Sequence, residues 1–296
     1  MPGSEIAAID PRAARRAYAR AALTCASAAV LAREIERRML ERLDYVRLQP
    51  QRVLDAGCGA GEGARSLAAR YPRAQLIGLD FALPVLHAAH GGGSWLRRVF
   101  ARPDEHRLCA DLGSMPLKPA SFGLVWSNLA LHCLADPLPI LKEMQRVLEV
   151  GGLLMFSSYG PDTLKELKNA FGADNGASHV HGFTDLHDIG DMLVASGFAE
   201  PVMDMEMVTL TYENVDRLLA DLRASGQVNV LASRRRGLTG KGVFRSMRAS
   251  YEALRSEGRL PASFEIIYGH AWKVQPRLAA DGRAIVKLEF PRARTV

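Results

Sequence analysis

From Gln51 onward, short apolar runs alternate with longer stretches in which apolar residues return every three or four positions. "QRVLDAG", "AQLIGLD", "RLCADL", "FGLVWSNLAL" and "GLLMFSSY" have the length and the β-branched or leucine-rich character of strands. The segments between them, "PVLHAAH" and "ILKEMQRVL" among others, carry helical spacing. Strands apolar throughout and separated by helices predict a parallel sheet covered on both faces. An alternating run, "MDMEMVTLTY", and a last clear strand, "FEIIYGHAW", bring the expected sheet to seven strands. Gly151 and Gly152 follow a helix ending near Leu148 and read as its C-terminal stop.

Two helical regions flank this pattern. Residues 13–43 place alanines, leucines and arginines at helical spacing, which predicts one or two amphipathic helices as a cap. Residues 214–225 and 241–257 predict two more helices before the last strand. The expected organisation is a helical cap over residues 1–50 and an α/β domain over 51–274 with a helical insertion at about 213–260. That domain is doubly wound, with a mostly parallel seven-stranded sheet. Residues 275–296 form a tail, an added strand or loose chain.

Composition narrows the class without naming it. Hydrophobic residues make up 48% and charged residues 24%, a globular balance that excludes disorder and fibrous structure. No apolar run reaches bilayer length, and the first residues carry acidic groups where a signal peptide would be apolar, so a cytoplasmic location and no membrane partner are expected. Cys25, Cys58, Cys109 and Cys133 lack CxxC spacing and a neighbouring histidine cluster, which points to reduced core thiols, with no metal. The net charge of +6 favours an acidic partner.

"VLDAGCGAGEG" puts Gly57, Gly59, Gly61 and Gly63 directly after the first strand. In a doubly wound sheet the ligand crevice lies at the carboxyl ends of the strands, where strand order reverses. Glycine there permits positive φ and lets backbone N–H groups approach a ligand closely. Such a turn suits the pyrophosphate of NAD or FAD, or the nucleoside of S-adenosylmethionine. Asp80 ends the second strand about 19 residues beyond Gly61, where a carboxylate accepts from both ribose hydroxyls. Asp111 ends the third, placed to meet an adenine amino group, and helix capping is the alternative for both. The spacing is GxGxG rather than GxGxxG, although Gly63 keeps a dinucleotide open. Asp55 at the entrance would repel a pyrophosphate and suits the amino-acid end of S-adenosylmethionine, which favours the methyl donor. Phe81, Leu112, Ser127 and Asn128 complete the expected donor contacts, with Leu129 beside them.

"VLDAGCGAG", "LIGLD", "ADLGSMPL", "SNLALHCLADP" and "VLEVGGLLMFSS" resemble, in order, the signatures of class I S-adenosylmethionine-dependent methyltransferases across residues 51–159. "FSSYGPDTLKELKNAF", "HVHGFTDLHDIGDMLVASGFAEPVMDMEMVTLTY" and "GRLPASFEIIYGHAWK" are similar to the malonyl-[acyl-carrier protein] O-methyltransferase family of biotin synthesis, over about residues 13–273. Part of this text is shared with a mitochondrial assembly factor, an arginine hydroxylase of respiratory complex I. The resemblance implies a Rossmann-like fold, S-adenosyl-L-methionine as cofactor, methyl transfer to the free carboxyl of a malonyl thioester, and acyl-carrier protein as partner. It breaks at "LTCASAA": the family carries a Tyr-Asp pair where Thr24 and Cys25 stand here, so no role of that tyrosine carries over.

A malonyl carboxylate is ionised at neutral pH and needs no general base. The work left is to align it, exclude water and hold the donor still, without over-stabilising the anion. Candidate orienting groups are Tyr159 at the end of the fifth strand, His132 after the fourth, Tyr212, and Arg16 or Arg20 on the cap. A buried tyrosine bonded to a carbonyl and a satisfied structural histidine are the plainer readings of Tyr159 and His132. His270 and Trp272 alternate on the last strand and read as core packing. The basic run "SRRRGLTGK", with Arg234, Arg235, Arg236 and Lys241, is either a solvated loop or a dock for acidic acyl-carrier protein. The competing functions are an S-adenosylmethionine-binding arginine hydroxylase or assembly factor and an RNA methyltransferase. The lack of an RNA-binding module counts against RNA.

Overall fold

The computed structural model describes residues 8–91, 105–133, 136–172 and 179–275, so the tail expected from residue 275 lies outside it apart from Gln275. Seven strands form one sheet: β1 (Arg52–Ala56), β2 (Gln75–Asp80), β3 (Glu105–Cys109), β4 (Phe122–Ser127), β5 (Leu148–Tyr159), β6 (Ala199–Tyr212) and β7 (Leu260–Trp272). Their order is β3-β2-β1-β4-β5-β7-β6. The first five run parallel, and β7 lies antiparallel between β5 and β6. The chain winds outward from β1 to β3, then crosses to β4 on the other side, so strand order reverses between β1 and β4. That reversal opens a crevice at their carboxyl ends.

The helices are α1 (Pro11–Ala21), α2 (Cys25–Ala28), α3 (Val30–Leu43), α4 (Glu62–Arg70), α5 (Leu83–Gly91), α6 (Pro137–Val147), α7 (Lys165–Phe171), α8 (Leu186–Ala195), α9 (Val215–Ala224) and α10 (Lys241–Glu252). Successive strand residues face opposite layers. Val53, Leu124 and Leu153 pack with Ile35, Met39 and Leu43 of α3. Leu54, Val125 and Leu154 pack with Ile140, Leu141 and Met144 of α6. Every residue of β4 is buried, as a central strand covered on both sides must be.

Gly151 and Gly152 do not end the helix before β5. Helix α6 stops at Val147, Leu148 is already extended at φ −66° and ψ 142°, and both glycines lie inside β5. Gly151 takes φ 82° where the β4–β5 register shifts between Phe122 and Leu124. Its N–H donates to Lys273 O at 2.8 Å. Glycine here lets the strand bend without leaving the sheet.

The cap and the insertion meet. Asp10 caps α1 through Arg12 and Ala13 N–H, and the buried stripe Ala13, Ala14, Ala17 and Ala21 brings α1 close to its neighbours. Ile9 pairs with Leu231, and Asp10 N–H donates to Val230 O at 2.8 Å. Thr24 Oγ1 donates to Ala224 O at 2.8 Å, tying the α1–α2 turn to the end of α9. Arg38 and Arg42 of α3 reach Glu206 and Asp204 on β6. Together these elements roof the crevice. Among the described residues no helix is long and apolar enough to cross a membrane.

Candidate active site

In the turn after β1, Gly57, Gly59 and Gly61 take φ of 85°, 51° and 78°. Gly57 and Cys58 N–H both donate to Leu79 O, at 2.7 and 3.0 Å, hooking the turn onto the end of β2. A side chain on Gly57 would begin 2.4 Å from Ala130 Cβ, because the turns after β1 and β4 touch there. At Gly59 nothing lies within 4 Å, and its backbone borders a cavity of about 200 Å³. A Cβ at Gly61 would meet the Arg107 guanidinium, and one at Gly63 would come within 3.0 Å of Asp55 Oδ2. Close approach explains most of the run, and open backbone at the cavity wall explains Gly59.

Asp80 lines the same cavity. Its Oδ1 accepts from Ala82 N–H at 2.8 Å and its Oδ2 from Gly59 N–H at 3.1 Å. These bonds fix the carboxylate plane and leave each oxygen a further lone pair for a hydroxyl. Burial raises its pKa above the ordinary carboxylate value, while the Ala82 and Gly59 donors pull it down. The bond to Ala82, just before α5, also gives Asp80 the helix-start role.

Asp55, Phe81, Leu112, Asn128 and Leu129 line this cavity as well. Asp111 and Ser127 do not. Asp111 is exposed, accepts from Gly113 N–H at 2.8 Å and borders a separate recess with Arg15 and Arg16. The chain beyond β3 turns its neighbour Leu112 inward and leaves the aspartate outside. Ser127 is fully buried and donates to Ala56 O at 2.9 Å, which fastens β4 to β1. Asn128 is held on both sides: Nδ2 donates to Ala32 O of α3 and Oδ1 accepts from Ser157 Oγ. Ser157 Oγ also accepts from Leu129 N–H at 2.9 Å, which steadies Leu129 at φ 49°.

The cavity is electronegative. Glu36, Asp55, Glu62, Asp80 and Asp221 line it, and among its described lining residues there is no lysine or arginine. Arg33 pairs with Glu62 at 3.3 Å, and burial raises the Glu36 pKa. Cys58 and Cys133 are buried, as expected of core thiols, and also line it; Cys25 lines it half-buried, and Cys109, at the end of the edge strand β3, is exposed rather than in the core. Burial pushes the Cys58 thiol up strongly and Cys133 up to about 12, which keeps both protonated. Among the described residues no cluster of three or more His, Cys, Asp or Glu side chains could hold a metal ion.

A second chamber of about 80 Å³ shares Tyr18, Cys133, Leu222 and Gln227 with the first. His132 and Tyr159 line it, with ring centroids 4.3 Å apart and Phe183 edge-on to both. Gln227 Nε2 donates to the Tyr159 hydroxyl at 2.7 Å, so the tyrosine meets a side chain and not the carbonyl expected of a plain core residue. Burial lowers the His132 pKa to about 3, with His181 adding to the effect.

The arginine candidates fall away from both chambers. Arg20 is exposed and Arg16 borders the recess beside Asp111, because the alanine stripe of α1 faces the protein. Tyr212 lines the first cavity and donates to Asp221 Oδ2 at 2.8 Å. His270 and Trp272 line neither chamber, and burial lowers the His270 pKa. In the basic run Arg234 is not a free surface charge: it pairs with Asp10 at 3.1 Å and bonds Leu231 O.

Residues 54–156 match the family described as a methyltransferase domain. A malonyl-[acyl-carrier protein] O-methyltransferase of Gallionella capsiferriformans is 50% identical over 282 residues, 95% of this chain and 97% of its own. A protein of the same name from Methylovorus sp. is 48% identical over 96% of each chain. The chain belongs to the malonyl-[acyl-carrier protein] O-methyltransferase family. Among solved structures, the YcgJ protein of Bacillus subtilis superposes with a TM-score of 0.58 at 15% identity, covering 81% of this chain and 99% of that one, a likeness of fold.

In this methyltransferase several site residues carried no sequence signal. Tyr18, Cys133 and Gln227 come from the cap, the turn after β4 and the insertion, and only folding brings them together. Ser157 was open to detection, as a polar residue in an apolar strand. Where the family resemblance breaks, at Thr24 and Cys25, Cys25 lines the cavity, and the Tyr18 ring meets Phe81 edge-on at 5.5 Å.

Proposed function

We propose that the chain transfers the methyl group of S-adenosyl-L-methionine to the free carboxylate of malonyl-acyl-carrier protein, a step of biotin synthesis. The electronegative first cavity carries this reading. A sulfonium and an ammonium group are attracted by Asp55, Asp80 and their neighbours, whereas the pyrophosphate of a dinucleotide would be repelled. The bare backbone at Gly57 and Gly59 and the paired lone pairs of Asp80 fit an adenosine ribose, with Phe81, Leu112 and Asn128 around it. The relatives matched across nearly the whole chain are named O-methyltransferases, which favours this reading over an arginine hydroxylase or an RNA enzyme.

When bound, the donor supplies an electrophilic methyl: a carboxylate oxygen forms the O–C bond, the C–S bond breaks, and its electron pair stays on sulfur as a neutral thioether. The chain supplies no proton acceptor, since none is needed. Asp80 fixes the ribose, Asp55 and the glycine turn hold the amino-acid end, and the cap and insertion exclude water. Incubation with labelled donor should label malonyl-carrier protein and leave acetyl-carrier protein and tRNA unlabelled. Equal labelling of the acetyl form, or labelling of tRNA alone, would overturn the assignment.

Arg235, Arg236 and Lys241 are exposed around Leu238, itself 95% exposed, and suit an acidic carrier protein with an apolar contact at its centre. Replacing all three by alanine is expected to raise KM for the carrier-bound substrate about five- to tenfold at low salt, and to change little at high salt or with malonyl-pantetheine. An unchanged KM at low salt would remove the patch from the docking surface.

A further inference from the structure

Among its described lining residues the second chamber has no lysine, arginine, aspartate or glutamate. Its polar lining is uncharged; among the described residues two of its donors lack a protein acceptor, and His179 Nε2 is buried without a partner as well. The first is His132. Its Nδ1 is buried and has no hydrogen-bond partner among the described residues, while its Nε2 lies 3.5 Å from Cys133 Sγ. Cys133 Sγ in turn lies 2.9 Å from the Tyr18 hydroxyl. Among the described residues Tyr18 has no other hydrogen-bond acceptor, so its O–H is assigned to sulfur, and we assign the S–H to Nε2 as the arrangement that uses the thiol proton. A neutral imidazole accepting at Nε2 carries its proton on Nδ1. The second donor is Tyr159. Its oxygen accepts from Gln227, which leaves the hydroxyl proton to be donated elsewhere. Buried donors without acceptors are uncommon, and they mark a place where a ligand oxygen belongs.

We propose that the second chamber is the acyl subsite and that it holds the substrate carboxylate with two neutral donors, His132 Nδ1–H and Tyr159 O–H, and no cation. This rests on the proposed function. The arrangement has a chemical purpose. Neutral donors orient the carboxylate in a water-poor chamber but do not withdraw its charge as a guanidinium would, so the oxygen stays nucleophilic toward the methyl across the Tyr18–Gln227 boundary. The groups around His132 are themselves neutral at physiological pH. Tyr18 and Tyr159 are pushed up by burial, Cys133 is up to about 12, and His181 and His179 are pushed down.

The test is steady-state methylation of malonyl-carrier protein by the full chain and by His132→Leu, His132→Asn and Tyr159→Phe. His132→Leu and Tyr159→Phe should each lower kcat/KM about 10- to 30-fold, with binding of S-adenosylhomocysteine by calorimetry unchanged, which also reports correct folding. Asparagine places an amide N–H near the Nδ1 position, and His132→Asn should recover activity to within about fivefold of the unsubstituted protein. The unsubstituted profile of kcat/KM should be flat from about pH 6 to 8.5, because His132 does not ionise there. A fall above an apparent pKa near 6.5 would assign the carboxylate to an imidazolium and overturn the proposal. So would unsubstituted kcat/KM in both His132→Leu and Tyr159→Phe. If the unsubstituted chain itself fails to methylate malonyl-carrier protein, the proposed function falls and this inference with it.

Discussion

Asp80→Ala is expected to weaken binding of S-adenosylmethionine and S-adenosylhomocysteine about 100-fold, read by calorimetry. Hydrogen bonds to a charged group are worth about 1.5–3 kcal/mol each, and a ribose makes two to this carboxylate. A hundredfold loss corresponds to about 2.8 kcal/mol, the lower end of that pair. The same carboxylate also holds Gly59 N–H and Ala82 N–H, so its removal loosens the glycine turn and adds to the loss. The pH dependence has a definite sign. Because burial raises the Asp80 pKa, acidification protonates it before an ordinary aspartate, and each protonation removes an acceptor. Donor affinity should therefore fall on acidification, at a higher pH than an ordinary aspartate would give. Affinity in Asp80→Ala within about threefold of the unsubstituted protein would take Asp80 out of the donor site.

Gly57→Ala should destabilise the protein by about 3 kcal/mol. An alanine there must adopt φ 85°, which costs an L-residue roughly 1–2 kcal/mol, and its Cβ would start 2.4 Å from Ala130 Cβ. Ala130 is 7% exposed and belongs to the second core layer, so it has little room to retreat, and overpacking adds roughly 1–3 kcal/mol. The thermal midpoint should drop by on the order of 10 °C. Gly59→Ala is the internal contrast. It has open space for a Cβ at φ 51°, so it should cost about 1 kcal/mol in stability yet narrow the cavity and weaken donor binding. Equal stability losses at Gly57 and Gly59 would show that the contact with Ala130 is not what makes Gly57 necessary.

Both predictions concern residues visible in the sequence, and the difference between them was not. Gly57 and Gly59 look alike in "AGCGAG", and only the packed turn after β4 makes one a steric necessity and the other an open wall. Asp80 and Asp111 looked alike too, each closing a strand. Asp80 reached the cavity because its strand lies next to β1. Asp111 did not, since β3 is the outermost strand and its chain turns the following leucine inward. Gly151 misled for a related reason: a glycine after a helix usually stops it, but this one bends a strand at a register shift that no local signal announces.

The arginines show the limit most clearly. Helical spacing placed α1 well, yet Arg16 and Arg20 fall outside both chambers because the alanine stripe, not the charged face, approaches the core. Arg234 sits in a run that reads as surface charge, and folding gives it Asp10, 224 positions away, as a partner. Conversely, the second chamber draws together Tyr18, His132, Tyr159, His181, Phe183 and Gln227, which share no motif.

The sequence by itself determined the α/β class, the seven strands, the glycine turn and the strand-end positions of Asp55 and Asp80, because strand periodicity and strand-end glycine and aspartate are local properties of a few adjacent residues. Only the tertiary structure decided which of those groups share a cavity, which glycine packs against the turn after β4, and where a second chamber with an uncharged lining lies. Those outcomes depend on distances between segments far apart in the chain, and no local spacing encodes a distance.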